Sequence, residues 1–588
     1  DALSVALIDE ALRELAGAPL CVLALARPEL YQSLPRLWHG RKLQEIQLKG
    51  LARKPCERLI QQMLGKQVAP AVVARLIEES AGNALFLEEL IRATAEGKAD
   101  SHAETVVAML QARIGQLEAG PRRVVRAAAV FGQTFWRGGV ARLLGTTADA
   151  PELEHWLTAL VHAEIIESHP ATRLPSEHEY VFRHGLVRDA AYGLLTDEDL
   201  HTGHRLAAEF LAAAGSREPA AIAEHYERGG DRAAAAPFYA RAAEQALSSF
   251  DSKSALAHVE HGLGCGANGD SLAILRSVEV AAWRRLNRFD RLYELIPIAL
   301  PLLRAGTRAW SRTLSVAVLA ATLGPPAWRA KVPELIQMLL GAAPEPDARA
   351  PYAEALAFMA TALAAVAPRQ QVQPILQRLH SVVELMAERD PTFRRWYLWP
   401  YYHNVHHREP RPYSTLVGAE EGIALSRIAG DRLIQVSLSI TERAYKWFEL
   451  GDVRGAVRLL RETEKEAAQV DGFVSELTRQ TLARVLCEAE EPEALDEAVR
   501  YSQAAIDSPG SASMFVGMAH HTLARVRLRR QQPAVEDALR AYKALEAAPL
   551  YGVEIAATVV WALLARGTPA EALPYVEKAL AVIAAYGG

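Results

Sequence analysis

Ile222-Ala-Glu-His-Tyr-Glu-Arg-Gly-Gly-Asp231 closes one helix and opens the next, and its spacing returns further along the chain. Counted from Gly230, residues Ala235, Tyr239 and Ala242 stand at +5, +9 and +12. Gly451, Ala456, Leu460 and Thr463 repeat those intervals, and so do Gly567, Ala572, Val576 and Ala579. Each glycine ends a helix, and the residues after it put small and large side chains on one face of the following helix. The preceding helix matches too, with Ala223 and Tyr226, Ala444 and Trp447, and Val560 and Leu563 in equivalent places. A small residue lets two helices approach, and a large one fills the space between layers. Outward from these points, residues 201–588 read as almost wholly helical.

The pattern resembles the tetratricopeptide repeat, a helix–turn–helix unit of about 34 residues. Here the spacing is roughly 37 to 39, which allows about nine helix pairs, the most diverged over 305–430. Such an array is expected to have each pair touching only its neighbours and to present one concave face.

Composition narrows the function. The chain has 588 residues, 50% hydrophobic and 23% charged, with 65 Lys plus Arg against 70 Asp plus Glu, a net charge of −5. That is ordinary globular composition and argues against nucleic acid as a partner held by bulk charge. Cys21, Cys56, Cys265 and Cys487 stand far apart, with no metal or disulfide spacing, which fits a reducing, cytoplasmic compartment. The longest nearly apolar run, Ala355 to Ala367, is short of the roughly 20 residues that a membrane span needs.

Upstream of the repeats the character changes. Leu3, Leu7, Ala11, Leu12 and Leu15 share a helical face, which Gly17 and Pro19 end. Leu20-Cys-Val-Leu-Ala-Leu25 is a continuous apolar run, as in a parallel strand buried on both faces. Arg27-Pro28-Glu29-Leu30 follows, at the carboxyl edge where open α/β sheets bind ligands. Residues 1–48 are therefore expected to end an α/β core. Because Asp1 already lies in helical sequence, the chain is expected to be part of a longer protein. Residues 49–117 read as helical, broken at Ser80-Ala-Gly-Asn83. Within 118–200, helices are expected at 121–131, 136–144 and 150–163, then strands at Glu164–Ser168 and Glu179–Phe182 around a polar loop. Three helices and a two-stranded wing are the layout of a winged helix.

Several strings together resemble signal-transducing ATPases with numerous domains, the STAND branch of P-loop ATPases. Pro19 to Leu30 is similar to their fourth strand and sensor arginine, and Ser80-Ala-Gly-Asn-Ala-Leu-Phe-Leu-Glu-Glu-Leu90 to the signature of their helical lid. Arg123 to Phe135 and Tyr180-Val-Phe-Arg-His-Gly-Leu-Val-Arg-Asp-Ala-Ala-Tyr192 resemble the two ends of their winged helix. The resemblance implies a mainly α chain: the end of the ATPase core (1–48), helical lid (49–117), winged helix (118–200) and repeat solenoid (201–588). It implies a regulatory region of a bacterial signalling ATPase, of the type fused to Ser/Thr protein kinases, that is not catalytic by itself. ATP or ADP and Mg²⁺ would belong to the intact parent, and no cofactor to this chain. The partners would be a protein or peptide on the solenoid and the upstream domains of the same polypeptide. No P-loop string is present, and Val5-Ala-Leu-Ile-Asp-Glu10 imitates a Walker B strand only within helical periodicity. A stand-alone repeat scaffold or peptide-binding adaptor is the alternative.

By the same resemblance Arg27 would sense the γ-phosphate, Gly82, Asn83 and Ala84 would lie over adenine, and His184 would read the diphosphate. Ala84 stands where the family usually has Pro, and Gly185 where it has Asp. The plainer readings are a surface arginine, a helix end with the next helix start, and a histidine capping the next helix. Arg122, Arg123 and Arg126 read as helix surface rather than a DNA contact. Trp396, Tyr397, Trp399, Tyr401 and Tyr402 are residue types enriched at binding hot spots. His403, His406 and His407 have a spacing that a metal could use, although a packed aromatic patch accounts for them as well.

Overall fold

In the computed structural model the chain is mainly α-helical, and it divides into two compact units, Asp1–Asp231 and Arg232–Gly588. The structure describes residues 2–15, 17–26, 30, 37–38, 43–95, 106–364, 367, 369–408, 412–468, 472–508, 511–545 and 549–586.

The first unit begins with the helix Ala2–Glu14. The run Leu20–Leu25 then departs from expectation, for it forms no strand. Leu23 and Leu25 are 84% and 85% exposed. A strand buried on both faces needs partners along its edges, and among the described residues no strand pairs with this run. Next, three helices, Arg53–Leu64, Pro70–Ser80 and Ala84–Ala95, close around Cys56, Ile60, Leu76, Leu87 and Ile91. Pro70 sits in the first turn of its helix, where its missing N–H costs nothing. Ala81 and Gly82 turn left-handed and end that helix.

The helix Val106–Gln116 leads into Ala119–Phe131, strand β1 (Thr134–Trp136), helices Arg137–Leu144 and Pro151–His162, strands β2 (Ile166–His169) and β3 (Glu179–Phe182), and helix Gly185–Tyr192. The sheet order is β1-β3-β2, all antiparallel, with Phe135 opposite Tyr180 and Ile166 opposite Phe182. Three strands therefore stand where the sequence pattern predicts two. Thr134–Trp136 is too short for a period-two alternation to be legible. What holds it is packing: Phe135 is buried, stacks on Tyr180 at 5.7 Å and meets Phe182 at 5.4 Å. Val124, Ala128, Leu153, Leu157 and Val187 complete this core. Two more helices, Asp197–Ala213 and Pro219–Arg228, finish the unit. The former starts on a capping box in which Thr196 and Asp199 satisfy each other's backbone N–H.

The second unit is built of successive helices that pack on their sequence neighbours. The repeat register holds in two places, where Ala235, Tyr239 and Ala242 are buried, and so are Ala456, Leu460 and Thr463; in the third Ala572 is buried but Val576 and Ala579 only partly so. Gly230, Gly451 and Gly567 all have positive φ, the backbone state that lets a helix end sharply. One contact breaks the rule that pairs touch only their neighbours. The helix Gly269–Arg285 also packs on Gly472–Leu486, far along the array. A stack that rotates by a fixed amount per repeat returns to its own earlier members when the rotation is large enough.

Among the described residues no helix is long and apolar enough to cross a membrane.

Candidate functional site: an ion-paired seam in the first unit

Gly82 has φ +77°, and a Cβ there would lie 2.8 Å from the carbonyl oxygen of Leu51. Its own carbonyl accepts from Leu51 N–H at 2.7 Å. Asn83 Oδ1 accepts from the N–H of Phe86 at 3.1 Å and so caps the helix that Ala84 begins. These bonds fix Gly82 and Asn83 in the turn that joins the two helices.

The helix they start carries acidic side chains into a seam. Arg113 Nη1 lies 2.5 Å from Glu89 Oε1, and Arg113 Nη2 donates to the carbonyl of Ala163 at 2.7 Å. Arg92 Nη2 is 2.6 Å and Arg183 Nη1 2.8 Å from the same oxygen, Oε2 of Glu164. Arg183 Nη2 also lies 3.9 Å from Glu88 Oε1. Hydrogen bonding to Arg183 holds the Glu164 carboxyl below its ordinary pKa and the Arg183 guanidinium above its own. Glu164 has φ +54°, an unusual backbone state for a side chain with Cβ. Thus the two quoted strings, Ser80–Leu90 and Tyr180–Tyr192, meet through Glu88 and Arg183.

His184 stands at the N-cap of Gly185–Tyr192, and its carbonyl accepts from Val187 N–H at 3.0 Å. Its side chain is half-buried and does not cap the helix, contrary to the plainer expectation. Arg27 lies outside the described residues. Arg126 pairs with Asp199 at 2.8 Å, and Arg122 donates to the Gly115 carbonyl at 2.9 Å, as helix-surface arginines do.

A second cluster in this unit is centred on the buried His204. Tyr192 Oη lies 2.8 Å from His204 Nε2, and His204 Nδ1 lies 2.8 Å from His225 Nδ1. One consistent neutral assignment has Tyr192 donating to His204, which donates in turn to His225. Burial lowers both histidine pKa values, and His204 and Arg228 further disfavour charge on His225.

In the second unit the aromatic patch is divided between core and surface. Trp396 and Trp399 are buried in the core, and Trp399 meets Phe358 edge-on at 5.4 Å. Tyr397 is half-buried between His380 and Tyr401, with ring centroids at 4.9 and 5.4 Å, and Tyr401 is exposed. The apolar indoles fill the layer between helices, and Trp396 also borders a cavity. Tyr402, His403, His406 and His407 belong to the helix Arg395–Arg408, and their side chains lie outside the described residues. Among the described residues no group of three or more His, Cys, Asp or Glu could hold a metal.

The seam itself escapes sequence reading. Arg92 and Glu164 are separated by 72 positions, and a charge pair at that distance has no local signature.

No family model matches the sequence, and no curated protein matches it. Among solved structures it is similar to a signal transduction ATPase with numerous domains that has a tetratricopeptide repeat sensor, from Pyrococcus horikoshii. Identity is 14%, over 94% of this chain and 72% of that one, with a TM-score of 0.30. Similarity at that level defines neither a family nor a common arrangement.

Proposed function

We propose that this chain is the regulatory and sensor region of a STAND-type signalling ATPase, of the bacterial type fused to Ser/Thr protein kinases, and is not catalytic by itself. In this reading the repeats bind a protein or ligand, and residues 49–200 relay the change as a helical lid packed on a winged helix. The order helix, strand, two helices and two strands, with the sheet order β1-β3-β2, supports the winged-helix reading. The observation that carries the relay is Glu164, whose one oxygen is shared by Arg92 of the lid helix and Arg183 of the wing. A ligand with different affinities for two packings would exchange these ion pairs for others. ATP or ADP with Mg²⁺ would be held with upstream domains of the same polypeptide, in the cytoplasm.

Titration calorimetry of the chain with ATP and ADP plus Mg²⁺ tests this. The reading expects no nucleotide binding that depends on His184. Micromolar affinity that His184→Ala abolishes would place a working nucleotide site within this chain and overturn its assignment as a purely regulatory piece.

A further inference from the structure

In the repeats, the large side chain nine residues after the turning glycine is covered by the next helix. Tyr239, on Arg232–Ser248, lies under the helix Ser252–Gly264, whose His261 ring stacks on it at 5.3 Å. Leu460 is buried on Val453–Ala467, which packs on Gly472–Leu486. Their counterpart in the last helix, Pro569–Tyr586, is Val576. That helix packs on Pro549–Arg566, yet Val576 is only half-buried. Leu573, Leu580 and Ile583 on the same helix are 57%, 59% and 41% exposed. The end repeat of a stacked array ordinarily turns a polar face outward, and this one is apolar.

The spacing of these residues indicates what covers them. Leu573, Val576, Leu580 and Ile583 follow one another at intervals of three, four and three. Those are the a and d positions of successive heptads, the seam along which one helix takes another with knobs in holes. A further helix is therefore a better fit than an extended peptide or a small molecule.

The seam also matches itself. Leu573 and Leu580 hold the a positions, and the β-branched Val576 and Ile583 hold the d positions. A parallel pair of helices prefers the reverse, with β-branched residues at a and leucine at d. Run antiparallel, two copies place Leu573 opposite Ile583 and Val576 opposite Leu580. Each layer then joins one leucine to one β-branched residue. A two-fold contact brings like charges together, so it needs a nearly neutral surface. Here Arg566 pairs with Glu571 at 2.6 Å, and Lys578 lies over the Tyr542 ring at 5.6 Å. Glu577 alone stands beside the stripe, at its rim, where its copy would face it.

We propose that Leu573, Val576, Leu580 and Ile583 form a homodimer contact, in which the last helix of one chain packs antiparallel on that of a second copy. One helix offers less surface than the roughly 800 Å² per partner of a standard interface, so the dimer is a weak, reversible one.

The test is sedimentation equilibrium of the full chain from about 1 to about 200 μM, where a dissociation constant between about 1 and 100 μM is expected. Leu580→Glu is the main variant, since this exposed side chain leaves the fold intact, as circular dichroism would verify. It should weaken the dimer at least about tenfold. Ile428→Glu is the control: Ile428 is 76% exposed on another helix, Pro412–Ala429, and its loss should change nothing. Glu577→Gln should tighten the dimer by removing the like charges at the rim. Leu573→Glu and Ile583→Lys should each weaken it alone and associate when mixed, because antiparallel packing sets one opposite the other. A monomer throughout the range overturns the proposal and leaves the stripe to a helix of another protein. An unchanged Leu580→Glu variant, or equal loss with Ile428→Glu, also overturns it, and no recovery on mixing overturns the antiparallel pairing.

Discussion

Gly472 lies against the backbone carbonyl of Arg285, so close that a Cβ on it would stand 2.7 Å from that oxygen. This is where the helix Gly472–Leu486 meets the turn after Gly269–Arg285, and where the second unit touches itself across the array. The obstructing atom is backbone, so a side chain there has nowhere to go. Gly472→Val should cost about 1–3 kcal/mol and lower the melting temperature. Hydrogen exchange should rise in the turn 286–288. A variant that melts like the parent would mean that the contact closes nothing.

Tyr239 and Phe250 separate buried from exposed aromatic packing. Tyr239 is 1% exposed at the centre of the repeat register. Tyr239→Ala should cost about 3–5 kcal/mol in a denaturant melt, the range for deleting a buried aromatic ring. Phe250→Ala, at an exposed ring, should stay within about 0.5 kcal/mol of the parent.

Glu164 combines an ion-pair role with a left-handed backbone. Glu164→Ala and Glu164→Gly remove the same charge, but only glycine relieves the backbone. Glu164→Gly should therefore be the more stable of the two by about 1 kcal/mol. Equal stabilities would show that the left-handed geometry costs nothing.

Acid should destabilise the chain through its buried histidines. Burial pushes His521 down to about 4, and it lowers His204 and His225 as well. The neutral forms fold better than the charged ones. Their contribution is thus fully present above the unfolded value near 6.5 and is lost as pH falls from there toward 4. The melting temperature should be level just above neutrality and fall between pH 6.5 and 4. His225→Gln should make that fall shallower, and an unchanged slope would remove the histidine pair from the account.

Local pattern carried much of the architecture. The buried Ala235 and Tyr239, the left-handed Gly230 and Gly451, and the break at Ala81–Gly82 all follow from periodicity and from what glycine permits. Three features did not. The run Leu20–Leu25 has the apolar content of a buried strand, but a strand exists only where another lies beside it. Thr134–Trp136 carries no readable alternation, yet it pairs with Glu179–Phe182 because Phe135 packs on Tyr180. Trp396 and Trp399 have the composition of a binding spot, and burial assigns them to the core.

By itself, then, the amino-acid sequence determined that the chain is mainly helical, where its clearest repeats turn and which face is buried around Tyr239 and Leu460. These depend on side chains a few positions apart, through the period of the helix and the conformational freedom of glycine. Only the tertiary structure decided which charges meet. Arg92, Arg183 and Glu164 converge from separate segments, and Arg284, Arg285, Arg308 and Arg312 gather from two helices around one cavity. Electrostatic energy depends on distance in space, and in a folded chain that distance is set by packing rather than by separation along the sequence.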